Sequence, residues 1–193
     1  MRGLLVLVML SLIIGIALDA PSSPEIAVRV TDRVGDVNPG YLDIIYVELR
    51  IEYDTVRVIF KLREDVPKRP YVPQRRAIWY NIFFGTHTRD GGEVYHPHME
   101  RHDIVVDYWA YAGNWEGSWT AGFGQSEPYV NPLHPVEYYI SGDEVVIEFP
   151  LDYLPCTSEL DWYANTFDNT RGYNIIDDVP DYGHITLLDL CPL

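Results

Sequence analysis

The sequence predicts a mainly β protein, a two-sheet antiparallel β-sandwich of about ten short strands with little helix. Three observations support this fold class. Short stretches alternate apolar and polar side chains with the two-residue period of a half-buried strand. Gly, Pro and Asn residues separate these stretches at the spacing of hairpin turns. No stretch longer than about one turn, such as residues 150–154, has the spacing of a helix.

The clearest hairpin signal lies at residues 45–62, where apolar side chains alternate with charged ones. A two-residue loop at Asp54-Thr55 places Glu52 opposite Arg57, so that charge and hydrophobicity agree on one register. The apolar face of this predicted hairpin comprises Ile45, Val47, Leu49, Ile51, Tyr53, Val56, Val58, Phe60 and Leu62.

Further strands are predicted along the rest of the chain. A second hairpin turns at Gly142-Asp143 and sets Glu137 opposite Glu148, which is an unfavourable pair of like charges. Another turn is predicted at residues 113–115. The other strands are predicted at residues 25–31, 77–84, 103–111, 118–123, 136–141, 144–149, 160–165 and 184–188.

Residues 1–20 read as a secretory signal peptide, followed by one domain at residues 21–193. The apolar run at residues 4–18 follows Arg2 and is too short to span a bilayer comfortably. A retained N-terminal anchor is the alternative. No second apolar span follows, so we expect a mature protein that is secreted or on the cell surface, with no transmembrane span.

The chain carries a formal charge of −15, with 29 acidic and 14 basic residues. This balance argues against nucleic acid as a partner, because binding to phosphates depends on clustered Lys and Arg. It suits a protein that takes up divalent cations.

The two cysteines, Cys156 and Cys191, are expected to form a disulfide, because an exported chain lives where disulfides persist. In the chain-entropy model, closing this loop of about 35 residues stabilises the fold by roughly 4 kcal/mol. Two free thiols are the alternative.

Acidic residues surround a Gly/Asn/Pro turn near the start of the domain, at Asp32, Asp36 and Asp43. Calcium takes six to eight oxygen ligands, which carboxylates and carbonyls on an irregular loop can supply. Aspartates are also favoured in turns for their own hydrogen bonds, so spacing alone leaves both interpretations open. A second acidic cluster at residues 177–181 offers Asp178 and Asp181. Either one completes the same site if the first and last strands lie close, or builds a second site.

Aromatic residues are abundant, and Tyr111, Trp115 and Trp119 surround a predicted loop. Sugars stack on such rings, so these three are candidates for a glycan-binding platform. The alternative is that the rings fill the core, where they bury a large area, and we expect this of Trp79 and Trp162.

The segment TDRVGDVNPGYLDI, together with VVIEFPLDYLP and DDVPDYGHITL further along, resembles the DOMON-like superfamily. That group includes the family nine carbohydrate-binding modules and the calcium-binding C-terminal modules of secreted amylolytic enzymes. The resemblance implies a two-sheet sandwich, a structural calcium near the first loop, and a concave face or end that holds a sugar. In the cytochrome branch the ligand is haem b instead.

Histidines cluster at residues 94–102, where His96 and His98 share a strand face and form a candidate zinc or copper pair. A Met/His-ligated haem like that of the cytochrome branch requires Met99, which is the only methionine after the leader. An exposed polar loop is the simpler interpretation.

Catalysis finds little support, because the sequence has no Gly-x-Ser-x-Gly, phosphate-binding loop or His-Glu-x-x-His motif. We therefore expect a non-catalytic, calcium-binding sandwich that binds an extracellular ligand, foremost a carbohydrate or cell-surface glycan. The alternative is a self-assembling subunit of a surface filament or coat, with calcium at the joint between subunits and β-augmentation between copies. A haem b module is the second alternative.

Overall fold

A computed structural model describes residues 26–70, 72–73, 76–86, 104, 106–126, 129–170, 174–181 and 184–188. Within these ranges the chain forms twelve β-strands and a single turn of 3₁₀ helix at Leu151–Tyr153. The strands are β1 (Ile26–Thr31), β2 (Ile44–Glu52), β3 (Thr55–Leu62), β4 (Ala77–Thr86), β5 (Tyr108–Trp115), β6 (Ser118–Gln125), β7 (Val130–His134), β8 (Glu137–Ser141), β9 (Glu144–Pro150), β10 (Glu159–Asp168), β11 (Ile175–Val179) and β12 (Ile185–Leu188).

The strands form two antiparallel sheets, which confirms the predicted fold class. One sheet has five strands in the order β1-β2-β3-β9-β8. The other has the order β11-β10-β4-β5-β6-β7, and β12 also pairs with β10. Apolar side chains from both sheets share one core, in which Phe60, Phe84 and Trp162 are among the largest fully buried members. The prediction that Trp162 lies in the core is therefore correct.

The hairpin of β2 and β3 is present, but its predicted register is wrong. The loop is Tyr53-Asp54 rather than Asp54-Thr55, so Glu52 pairs with Thr55 and Arg57 lies opposite Arg50. Tyr53 occupies the left-handed region with φ of 57° and is 76% exposed. Between Tyr46 and Lys61 the register moves each partner by two positions, and a two-residue period keeps the alternating core residues from Val47 to Phe60 inside. Ile45 and Tyr53 were predicted on the same face, but a bulge turns Ile44 into the core in place of Ile45, and Tyr53 lies in the turn.

The second hairpin, of β8 and β9, has the predicted register, with Glu137 opposite Glu148. The like charges are tolerated because Arg57 on the neighbouring β3 forms an ion pair with Glu148. Gly142 opens the turn with φ of 62°, a conformation that glycine adopts at no steric cost.

The turn predicted at residues 113–115 is also placed wrongly. Strand β5 continues to Trp115, and the turn falls at Glu116-Gly117, where both residues have positive φ. The Asn114 side chain accepts a hydrogen bond of 2.9 Å from the Gly117 N–H, which holds this turn. Strands β7 and β11 were not predicted.

Some predicted features lie outside the described residues: the signal peptide at residues 1–20, the histidine-rich segment 94–102 with Met99, and Cys191. Cys156 does not carry a free thiol. Its pairing with Cys191 stays a prediction. No helix within the described ranges has the length and apolar character needed to cross a membrane.

Candidate metal centre and aromatic face

The loop between β1 and β2, residues 32–43, is fixed against the seven-stranded sheet. The Tyr80 hydroxyl donates to the Tyr41 carbonyl over 2.9 Å. The Thr166 hydroxyl donates to the Leu42 carbonyl over 2.6 Å. Both donors belong to the other sheet, so side chains there hold the backbone of the loop.

Asp43 braces this loop from inside and is fully buried. Its carboxylate accepts a hydrogen bond of 2.9 Å from the Gly35 N–H and one of 2.5 Å from Arg63 Nε. Arg63 therefore compensates the buried charge of Asp43, which is not one of the three carboxylates that converge nearby. Asp43 was a predicted metal ligand, and the structure places it beside the site as a support.

Three other carboxylates converge at the mouth of the loop. Oxygen atoms of Asp32, Asp36 and Asp177 all lie within 4.8 Å of one another. Asp32 directly follows β1, and Asp36 is exposed in the loop. Asp177 lies on β11 and is only 3% exposed. The cluster thus takes its carboxylates from both sheets.

The electrostatics of this cluster favour a bound cation or a proton. Burial is the largest of the effects that together raise the pKa of Asp177 to about 9. The charges of Asp32 and Asp36 and a hydrogen bond with Asp32 act in the same direction, against the lowering effect of a hydrogen bond from the Ile44 N–H. Burial likewise raises the pKa of Asp32, as do the charges of Asp181 and Asp36. Asp32 Oδ2 is buried and has no hydrogen-bond partner among the described residues.

The donor set suits a hard cation. It consists of carboxylate oxygens, with no thiolate or imidazole among the three converging groups. Calcium accepts such oxygens in flexible geometry, whereas magnesium demands a near-ideal octahedron. The cluster therefore fits calcium better than zinc or copper.

The two other predicted ligands, Asp178 and Asp181, are not among the converging carboxylates. Neighbouring residues of a strand point to opposite faces, so Asp178 lies on the face of β11 away from Asp177. There it lies opposite Asn165 of β10. The pKa of Tyr163 is raised mainly by burial, and the charge of Asp178 raises it further. Asp181 is exposed near Asp32 but is not one of the three converging groups. The sequence analysis included Asp177 in the second acidic cluster without choosing it as a ligand.

The predicted glycan platform is split between two faces of the seven-stranded sheet. Trp119 lies on the inner face and stacks on Tyr80 with ring centroids 6.4 Å apart. Tyr111 and Trp115 lie on the outer face, because residues at alternate positions of β5 share a face. Trp79, which was predicted to lie in the core, is on the outer face beside them.

The position of Trp79 follows from its neighbours in β4. Tyr80, Ile82 and Phe84 are fully buried between the sheets, so the residues alternating with them face outward. Asn81 is the one polar residue among residues 78–84, and its position two residues after Trp79 was the signal that could have placed Trp79 on the outer face.

Comparison with models of known protein families found no match, and comparisons with curated proteins and with solved structures found none either. The resemblance to the DOMON-like superfamily therefore stays a prediction.

Proposed function

We propose that this protein is an exported, non-catalytic, calcium-binding β-sandwich that binds an extracellular ligand, foremost a carbohydrate. The observation that carries the metal-binding part is the convergence of Asp32, Asp36 and Asp177 within 4.8 Å. Their carboxyl groups gather at one place without an ion-paired Lys or Arg among the described contacts.

The cost of this arrangement is lowered by a bound cation. Without one, like charges at this distance repel, and the burial of Asp177 penalises its ionised form. A calcium ion satisfies the buried Asp32 Oδ2 and lets all three carboxylates ionise. Extracellular calcium modules commonly bind in the range of about 10⁻⁴ to 10⁻³ M.

The location of the cluster gives the ion a structural role. On one side of the sandwich the chain itself joins the sheets, since only residues 135–136 separate β7 from β8. On the other side β11 packs against β2, and Asp32 and Asp177 come from different sheets. An ion shared by these two carboxylates therefore links the sheets where no short connection does.

Thermal melting with calcium and with a chelator tests this function. We expect calcium to raise the melting temperature of the purified protein, because a ligand that binds only the folded state stabilises it. Asp177→Asn should remove the calcium-dependent rise, and Asp178→Asn is the matched control on the opposite face of the same strand. An equal melting temperature in calcium and chelator removes the metal site.

A filament or coat subunit is the second candidate function. Within the described ranges, β1 and β8 are the outer strands of the five-stranded sheet, and each pairs on one side only. Such an edge can accept a strand from another copy. Electron microscopy with and without calcium tests this candidate, and uniformly monomeric particles in both conditions count against it.

A further inference from the structure

We propose that the outer face of the seven-stranded sheet at Trp79 and Trp115 binds a neutral polysaccharide chain. This inference rests on the proposed function, in which a carbohydrate is the ligand, and it names the surface and the class of sugar polymer. Trp79, Tyr111 and Trp115 are called the aromatic face below.

The aromatic face presents adjacent ring surfaces. The rings of Trp79 and Trp115 are 6.4 Å apart between centroids and tilted by only 32°. Tyr111 meets Trp79 edge-on, with centroids 5.2 Å apart. Trp115 is 45% exposed, which is unusual for a residue that usually buries most of its area. Two neighbouring indoles therefore lie on this face, of which Trp115 is exposed and Trp79 is half-buried.

Glycines on the same face hold these rings close to the backbone. A Cβ on Gly113 would overlap the ring of Trp79, and a Cβ on Gly122 would approach the Tyr111 hydroxyl to 2.7 Å. The rings of Trp79 and Tyr111 thus occupy the space that a side chain at Gly113 or Gly122 would fill. Rings held in this way are pre-organised, so binding orders them at little further entropic cost.

The rest of the outer face is covered by the chain itself. Ile104 and Val106 pack on Phe83 and Tyr163 and form a second small core there, with Trp109 against it. Trp79 and Trp115 do not belong to that cluster. The sheet therefore has a covered half and a half whose aromatic rings reach solvent.

The charge distribution distinguishes this surface from the rest of the molecule. Strands β4, β5 and β6 contain no Asp, Glu, Lys or Arg, although the chain has 29 acidic and 14 basic residues. By contrast, the outer face of the five-stranded sheet carries the ion pairs Arg29–Glu48, Arg50–Glu48 and Arg57–Glu148. A sheet face that is simply solvated usually resembles the charged outer face of the five-stranded sheet.

A neutral sugar polymer complements such a surface. The C–H faces of sugar rings pack on indole faces, and their hydroxyls can bond to uncharged polar groups. Thr120, directly opposite Gly113, is exposed on this face. Strands β4, β5 and β6 offer a polyanionic glycan no cation, although Arg76 directly precedes β4, and such a glycan meets a protein of net charge −15.

Affinity gel electrophoresis tests the inference. The probes are four neutral polymers, namely hydroxyethylcellulose, xylan, galactomannan and mixed-linkage β-glucan, with carboxymethylcellulose as the charged counterpart of the first. We expect at least one neutral polymer to retard the protein and carboxymethylcellulose to have no effect. Trp115→Ala should weaken the binding about tenfold, and Trp115→Phe, which keeps a ring, should weaken it less.

Tyr53→Ala is the matched control, because Tyr53 is also an exposed aromatic residue but lies in the turn of the other sheet. Retardation by none of the four neutral polymers overturns the inference, as does binding that Trp115→Ala leaves unchanged. Sedimentation that shows an assembly dissolved by Trp115→Ala also overturns it, because the occupant is then a second copy. If the polysaccharide inference fails in this way, a calcium-dependent rise in melting temperature in the same samples shows that the metal-binding part of the proposed function still holds.

Discussion

Ile44 donates its backbone N–H to the Asp177 carboxylate over 2.6 Å, although 133 positions separate the two residues in the chain. The contact joins the start of β2 in one sheet to β11 in the other. It holds Asp177 beside the loop of residues 32–43, next to the carboxylates of Asp32 and Asp36. The candidate metal centre is therefore formed by distant parts of the chain, and the behaviour predicted for it follows from this geometry.

Replacing Asp177 by Asn separates its charge from its hydrogen bond. The amide oxygen can still accept from Ile44, but the side chain can no longer ionise beside Asp32 and Asp36. In chelator we expect Asp177→Asn to melt no lower than the wild type, and in calcium to gain nothing. Differential scanning calorimetry of both proteins measures this. A variant that melts lower in chelator and still responds to calcium contradicts the assignment.

The stability of the calcium-free protein should fall as the pH rises. The pKa of Asp177 is raised from its ordinary 3.8 to about 9, mainly by burial, so between these values the folded state holds a proton that the unfolded state releases. The stabilisation is complete below the ordinary pKa and is lost as the pH rises through about 9. Calcium replaces the proton and should flatten this dependence.

Urea unfolding in chelator at several pH values within this window measures the slope. Asp177→Asn is the control, because it cannot titrate at this position and should show a shallower slope. Calcium-free wild-type protein that gains stability with rising pH across the window is inconsistent with the raised pKa.

Removing Arg63 should destabilise the fold through Asp43. Arg63→Ala leaves a fully buried carboxylate without its cation, which typically costs about 3 kcal/mol. We expect a lower urea midpoint with an unchanged slope. Arg33→Ala is the matched control, since Arg33 is an exposed arginine in the loop that Asp43 braces. Equal midpoints for the two variants rule out a bracing role for Arg63.

Gly113 should tolerate a methyl group only when Trp79 is absent. Gly113→Ala places a Cβ in the ring of Trp79 and should cost about 1–3 kcal/mol by overpacking. In a Trp79→Ala background the ring is gone, so the same change should cost much less. A double-mutant cycle measured by chemical unfolding checks this, and additive effects mean that the ring does not rest on Gly113.

The faces of the strands were predictable from the sequence, but the register of the first hairpin was not. Alternation assigns Val47 and Leu49 to the core whatever their partners are, because the side-chain period is two. The register depended on Tyr53 adopting a left-handed turn conformation, which a large aromatic residue rarely does. Glu148, which is distant in sequence, also took the ion pair with Arg57 that local pairing had assigned to Glu52.

The candidate site was predictable only in its local half. Asp32 and Asp36 are close in sequence, and the Asp, Gly, Asn and Pro residues around them indicate a loop. Asp177 joins them through the pairing of β11 with β10, and β11 has too many acidic residues to read as a strand. Once β11 is known to be a strand, the alternation of its side chains shows that Asp177, and not Asp178, faces the other two carboxylates.

Isothermal titration of the chelator-stripped protein with calcium tests the central claim most directly. We predict that one ion binds per chain, that Asp177→Asn abolishes the binding, and that Asp178→Asn retains it. Binding of equal strength in Asp177→Asn, or no binding in the wild type at millimolar calcium, contradicts a calcium ion shared by Asp32, Asp36 and Asp177.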